Sequence, residues 1–128
     1  MTHANEDLLR RGYAAFAEGD IETLDGLFTD DITWHTAGDN LLAGDHHGKQ
    51  EVFGLFGRLG ELADSFDQEI HDVLANDEHG VGLIKVRASR GDRTMEQNAV
   101  HVFHFTGGQV SEVWVHNDDQ AATDAFFG

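Results

Sequence analysis

The half of the chain from residue 66 to residue 117 constrains the fold most, because it reads as four strands in succession. "FDQEIHDVLA" is expected to pair with "GVGLIKVRAS" across the turn stretch "NDEHG". "TMEQNAVHVFHFT" and "QVSEVWVHN" are joined by Gly107 and Gly108, a strong hairpin signal. Four consecutive antiparallel strands have to bury one face, and the first half of the chain supplies what covers it.

That first half has helical spacing. Over residues 5–18, Leu9, Tyr13 and Phe16 recur at intervals of four and three, with Leu8 beside them. Asn5 is the expected N-cap, and Gly19 the stop. Asp20 is placed to cap a second, short helix that presents Ile21, Leu24, Leu27 and Phe28. "DITWHTAG" alternates and predicts a short strand. Residues 49–65 predict a third helix with Val52, Phe53, Phe56, Leu59 and Leu62 on its apolar side. Gly54, Gly57 and Gly60 weaken that helix, and their spacing of three suggests a side where a sheet approaches closely. "DDQAATDAFF" predicts a short helical tail capped by Asp118 or Asp119. The expected class is α+β: one curved sheet with helices on one face, in a single domain over residues 1–128.

Composition narrows the function. The chain has 24 acidic residues against 8 basic ones and a formal charge of −16, which disfavours nucleic acid as a partner. Such an acidic, lysine-poor surface suits the high-salt cytoplasm of a halophile, or an ordinary acidic protein. With no Cys there are no disulfides, thiolate metal sites or Cys nucleophiles. No apolar run approaches the roughly 20 residues of a membrane span, and the polar, acidic start does not read as a secretory signal. The expectation is a cytoplasmic protein with no membrane partner.

Residues 32–52, "ITWHTAGDNLLAGDHHGKQEV", gather His35, His46 and His47 among Asp39 and Asp45. A metal centre needs three or four converging ligands, and no fixed ligand spacing is present. The expectation is a polar loop beside a pocket mouth, with Trp34 aimed inward and no metal. Arg87, Arg90 and Arg93 read as hairpin surface charge; the alternative is a clamp for an anionic substrate at the mouth.

Parity sorts the sheet faces. Ala99, His101, Phe103 and Phe105 share one face of their strand; Val100, Val102 and His104 share the other. A two-residue turn at Gly107–Gly108 would set Phe103 opposite Glu112. A three-residue turn with Gly108 left-handed and a bulge shifts the register by one, placing Val113 and Val115 beside His101 and Phe103. The second option segregates apolar from charged residues and is preferred. His101 is then the one ionisable group on the inner hairpin face, with Trp34 and Thr36 pointing in from the first strand and His35 pointing out. Val100, Val102, Trp114 and His116 form an outer apolar patch that suggests a two-fold dimer.

The stretches "RRGYAAFAEGDIETLDGLFTDDITWHTAG", "LAGDHHGKQEV", "HVFHFTGGQVSEVW" and "DDQ" resemble the SnoaL-like branch of the nuclear-transport-factor-two-like superfamily. Ketosteroid isomerases and limonene epoxide hydrolases belong to the same superfamily. The resemblance implies a cone of three helices laid into a strongly bent antiparallel sheet, an apolar pocket at its open end, and dimers through the outer sheet face. Tyr13 and His101 match the helix Tyr and strand His that line the active site of polyketide cyclases in this branch. The sequence also departs from the family. The cyclases carry an acid/base Asp on the last strand, where the inward residues here are Val113, Val115 and Asn117. Ketosteroid isomerases carry an Asp where Thr36 stands, and a second acid where His101 stands. The Asp-Arg-Asp set of the epoxide hydrolases has no counterpart.

The resulting expectation is cofactor-independent acid/base chemistry, of isomerase, cyclase, hydratase/hydrolase or lyase type, on a small apolar carbonyl compound. Tyr13 and His101 are the catalytic pair; Trp34, Thr36, Phe53, Phe56, Phe103, Val113, Val115 and Asn117 line the pocket. Two other readings compete: a non-catalytic small-molecule binder, motivated by the missing carboxylate, and an interaction module using the outer face.

Overall fold

The computed structural model describes residues 3–128. Helix α1 (Ala4–Glu18) starts one residue earlier than its spacing suggests. His3, not Asn5, is its N-cap, with the ring accepting from the Asn5 N–H at 3.0 Å. The Asn5 side chain instead donates to the backbone oxygen of Asn76 at 3.0 Å, pinning the helix to a distant turn. Gly19 ends α1 with a left-handed φ of 69° that lets it cap the last carbonyls. Asp20 then caps α2 (Ile21–Leu27), accepting from both the backbone and the hydroxyl of Thr23.

Strand β1 (Phe28–Thr36) begins at Phe28, which the periodicity assigned to the helix. β2 (Gly44–His47) lies inside the stretch expected to be loop, pairing antiparallel with β1. Its sequence, "GDHH", has no apolar alternation to reveal it. The other elements are α3 (Gly48–Leu62), β3 (Ser65–Ala75), β4 (His79–Arg90), β5 (Arg93–Thr106), β6 (Gln109–Asn117) and α4 (Gln120–Phe126), which Asp119 caps.

The six strands form one curved, unclosed sheet in the order β2-β1-β6-β5-β4-β3. All neighbours are antiparallel except β1 and β6, which run parallel. The β5–β6 pairing has the anticipated register, Phe103 opposite Val113 and His101 opposite Val115, by a different device. The turn is the two-residue type: Gly107 and Gly108 both have positive φ, 59° and 79°, as a primed hairpin turn requires. The one-residue shift comes from a bulge at Ser111, between the His104–Glu112 and Phe105–Val110 pairs.

The helices cover the concave face, and the core fills the space between. Ile32, Val52 and Val113 are completely buried. On α3 the buried residues are Val52 and Leu55; Phe53 is only partly covered. No sheet approaches the α3 glycines: a side chain at Gly54, Gly57 or Gly60 would meet nothing within 4 Å. The C-terminal helix α4 packs against β5 and β6. Asp124 accepts from the Asp39 N–H and from Asn40 and Gln120, while Arg90 and Arg93 donate to the backbone oxygens of Phe126 and Gly128. Those two arginines therefore hold the tail, and Arg87 pairs with Glu96. None of the three lines the cavity described next.

Candidate functional site

An apolar cavity of about 150 Å³ lies between the helices and the concave face. The sheet register explains what lines it. Gly82 on β4, His101 on β5, Val115 on β6 and Thr36 on β1 are successive partners, so they form one row across the sheet. Adjacent strands are about 4.8 Å apart, which separates the His101 and Thr36 backbones by about 10 Å. A cavity of about 150 Å³ holds a molecule the size of benzene.

Tyr13 descends onto this row from α1. Its hydroxyl lies 2.8 Å from Nδ1 of His101, a short hydrogen bond, and its ring packs edge-on against Phe103. Gly82 makes this approach possible: a Cβ there would sit 2.1 Å from the Tyr13 hydroxyl oxygen. Burial governs the electrostatics. It lowers the pKa of His101 to about 4, with the nearby His116 adding to the shift, and raises that of Tyr13 above the ordinary tyrosine value. At neutral pH the site is an uncharged imidazole bonded to an uncharged phenol inside an apolar chamber.

Trp34, Thr36, Phe56, Phe103, Val115 and Asn117 line the cavity with Tyr13 and His101. Two anticipated lining residues do not. Val113 is fully buried beneath the core, and Phe53 faces a separate groove on the outside. The sequence reading overlooked Gln68, Met95 and Thr123, which also line the chamber. Thr123 belongs to a buried relay: Gln97 donates to its hydroxyl at 2.7 Å and accepts from the Asp119 N–H at 2.7 Å. Extending the inward parity of β5 from Ala99 to Gln97 and Met95 would have found this end of the chamber.

The histidines of residues 32–52 stay apart. Among the described residues no three His, Asp or Glu side chains converge as metal ligands. His46 bonds the Leu42 carbonyl. His35 points to the outer face, where it bridges Asp45 on β2 (2.7 Å) and Glu112 on β6 (2.6 Å) and stacks on Trp114. Burial disfavours its charge, but the bonds and charges of both carboxylates outweigh that and raise its pKa. The protonated ring thus fastens the edge strand β2 to the sheet. A raised folded pKa gives stability that is fully present below the unfolded value near 6.5 and lost as pH rises through the folded one. His35→Gln is therefore expected to lower stability at pH 6 and to differ less from the parent at pH 9. Urea titrations at the two pH values check this, and an equal cost at both would refute it.

The geometry can be set beside known proteins. The sequence profile of the SnoaL-like domain matches residues 9–113. An uncharacterised protein of Mycobacterium bovis is 32% identical over 126 residues, covering 97% of this chain and 96% of its own. Bal32a, from a soil-derived mobile gene cassette, superposes with a TM-score of 0.94 at 36% identity, covering 98% of this chain and 97% of that one. TerC, whose structure was determined after co-crystallisation with polyporic acid, shares the fold with a TM-score of 0.87 at 16% identity, over 98% of each chain.

Proposed function

The chain belongs to the SnoaL-like family, and from that premise and the geometry of its chamber we propose that it performs acid/base chemistry on a small, ring-sized apolar carbonyl compound. The observation that carries this reading is the Tyr13–His101 hydrogen bond inside an otherwise apolar cavity of about 150 Å³. Accepting the Nδ1–H in its hydroxyl oxygen, Tyr13 fixes the tautomer that leaves a lone pair on Nε2. The Tyr13 O–H then donates to the substrate's carbonyl oxygen. A water held by Nε2 takes a proton from the α carbon and passes one of its own to Nε2, and the negative charge that develops on oxygen is stabilised by a donor already in place. The proton returns from the imidazolium to the same carbon or to a conjugated one.

The single-ring probe cyclohexanone tests this directly. Its α protons are expected to exchange in D2O with catalytic amounts of protein, followed by NMR. His101→Ala is expected to lose about a hundredfold or more of that rate, and the rate of the parent should fall as pH drops toward 4 and His101 takes its proton. Exchange that is equally fast with His101→Ala would refute the assignment.

One observation favours a second reading. Burial leaves His101 a weak base, and among the described residues no carboxylate lines the chamber. A non-catalytic binder would saturate with cyclohexanone yet leave its α protons in place.

A further inference from the structure

A second apolar space lies on the outside of the helical layer, between α1–α2 and α3. This groove of about 410 Å³ has no ionisable residue in its lining. Ile21 lies along it with 44% of its surface exposed, in a chain whose formal charge is −16. The groove and the inner chamber share a wall: Phe16, Phe56 and Phe66 are among five side chains that bound both spaces. The rings of Phe16 and Phe56 meet edge to face at 5.1 Å, and those of Phe16 and Phe66 at 6.2 Å. Phe16, in contact with both other rings, is thus the side chain that would have to turn aside for the two spaces to join.

We propose that groove and chamber form one bipartite site, whose ligand is a ring ketone bearing an unbranched alkyl chain. Resting on the function proposed above, this assigns the ring to the chamber against Tyr13 and His101. The chain passes between Phe16, Phe56 and Phe66 and lies along the groove. A 150 Å³ chamber is filled by the ring alone, so any further apolar part of the ligand must leave it. With Phe16 turned aside, the way between these rings would lead onto an uncharged apolar surface, of the kind that marks ligand grooves. Gly57 forms part of the groove floor, where the helix carries no side chain and the space above is open.

The test is calorimetric titration with cyclohexanone and its 4-methyl, 4-butyl and 4-hexyl derivatives. Affinity is expected to rise about threefold to fourfold for each methylene that enters the groove. In Gly57→Leu, which fills the groove and places a better helix former on α3, that dependence should disappear while cyclohexanone binds as before. Gly54→Leu puts the same side chain on the same helix outside the groove and should keep the dependence. Binding of cyclohexanone with no effect of chain length would overturn the bipartite site and leave the proposed function standing. A chain-length dependence unchanged in Gly57→Leu would overturn it too. Failure of every member to bind would overturn both.

Discussion

Gly82→Ala is expected to lower stability by about 2 kcal/mol and to disconnect Tyr13 from His101. The added methyl would stand 2.1 Å from the Tyr13 hydroxyl oxygen and 3.0 Å from Cζ, so the phenol has to retreat. Overpacking of this kind costs about 1–3 kcal/mol. The retreat also breaks the 2.8 Å bond to His101, and a buried polar group left without its partner costs about 1–3 kcal/mol more unless a ligand or solvent replaces it. The cause can be isolated. In a Tyr13→Phe background the hydroxyl is gone, so the same alanine should cost about 1 kcal/mol less. That is the coupling expected of two side chains in contact. Chemical denaturation of the four proteins in this cycle measures it. Strictly additive effects would mean that Tyr13 does not press on Gly82.

The second large effect is on acid stability. His101 has a pKa near 4 in the folded protein, while an unfolded histidine titrates near 6.5. Between those values the unfolded chain binds a proton that the folded one refuses, so stability falls as pH drops. The full difference is roughly 3 kcal/mol. His101→Gln removes the titration while keeping a side chain able to bond Tyr13, and its stability should vary far less between pH 6.5 and 4.5. The other shifted groups act in other windows. Asp20, Asp45, Glu96 and Asp124 all titrate below their ordinary values, so their losses come below about pH 4.5. His35 is shifted upward and loses its contribution on the alkaline side. Parallel stability curves for parent and His101→Gln across pH 6.5–4.5 would show that His101 takes its proton in the folded state as readily as in the unfolded one.

Which parts of this could be read from sequence follows from periodicity. A strand's side chains alternate with a period of two, so one buried residue fixes the side of all its neighbours. Phe103 and Phe105 therefore place His101 on the inner face, and the helical spacing of Leu9, Tyr13 and Phe16 puts Tyr13 on the apolar side of α1. The pairing of Tyr13 with His101 came from the family resemblance, because no local pattern encodes a contact between residues 88 positions apart. The bulge at Ser111 has no signature of its own, which is why the correct register was reached through an incorrect turn. β2 was missed for a related reason. It is held by backbone pairing and by His35 bridging Asp45 and Glu112, and neither leaves an apolar trace. On α3 the width of the apolar stripe was misjudged. Leu55 is the buried residue, and the turn of the helix carries Phe53 round to the groove.

Reassigning Phe53 and Val113 also changes the size of the site. With Val113 sealed in the core and Phe53 outside, the chamber is lined by fewer of the anticipated residues and has a volume of about 150 Å³. Under the proposed function, the row Gly82–His101–Val115–Thr36 would set the reacting part of the substrate.

In the proposed function the Tyr13–His101 pair faces a ligand and polarises its carbonyl group. Infrared spectroscopy of carbon-13 carbonyl-labelled cyclohexanone bound to the protein tests it most directly, with Tyr13→Phe as comparison. A carbonyl stretch moved to lower frequency in the parent, and returned toward its apolar-solvent value in Tyr13→Phe, is the predicted result. A bound ketone whose stretch is the same in both proteins and in an apolar solvent would contradict the account.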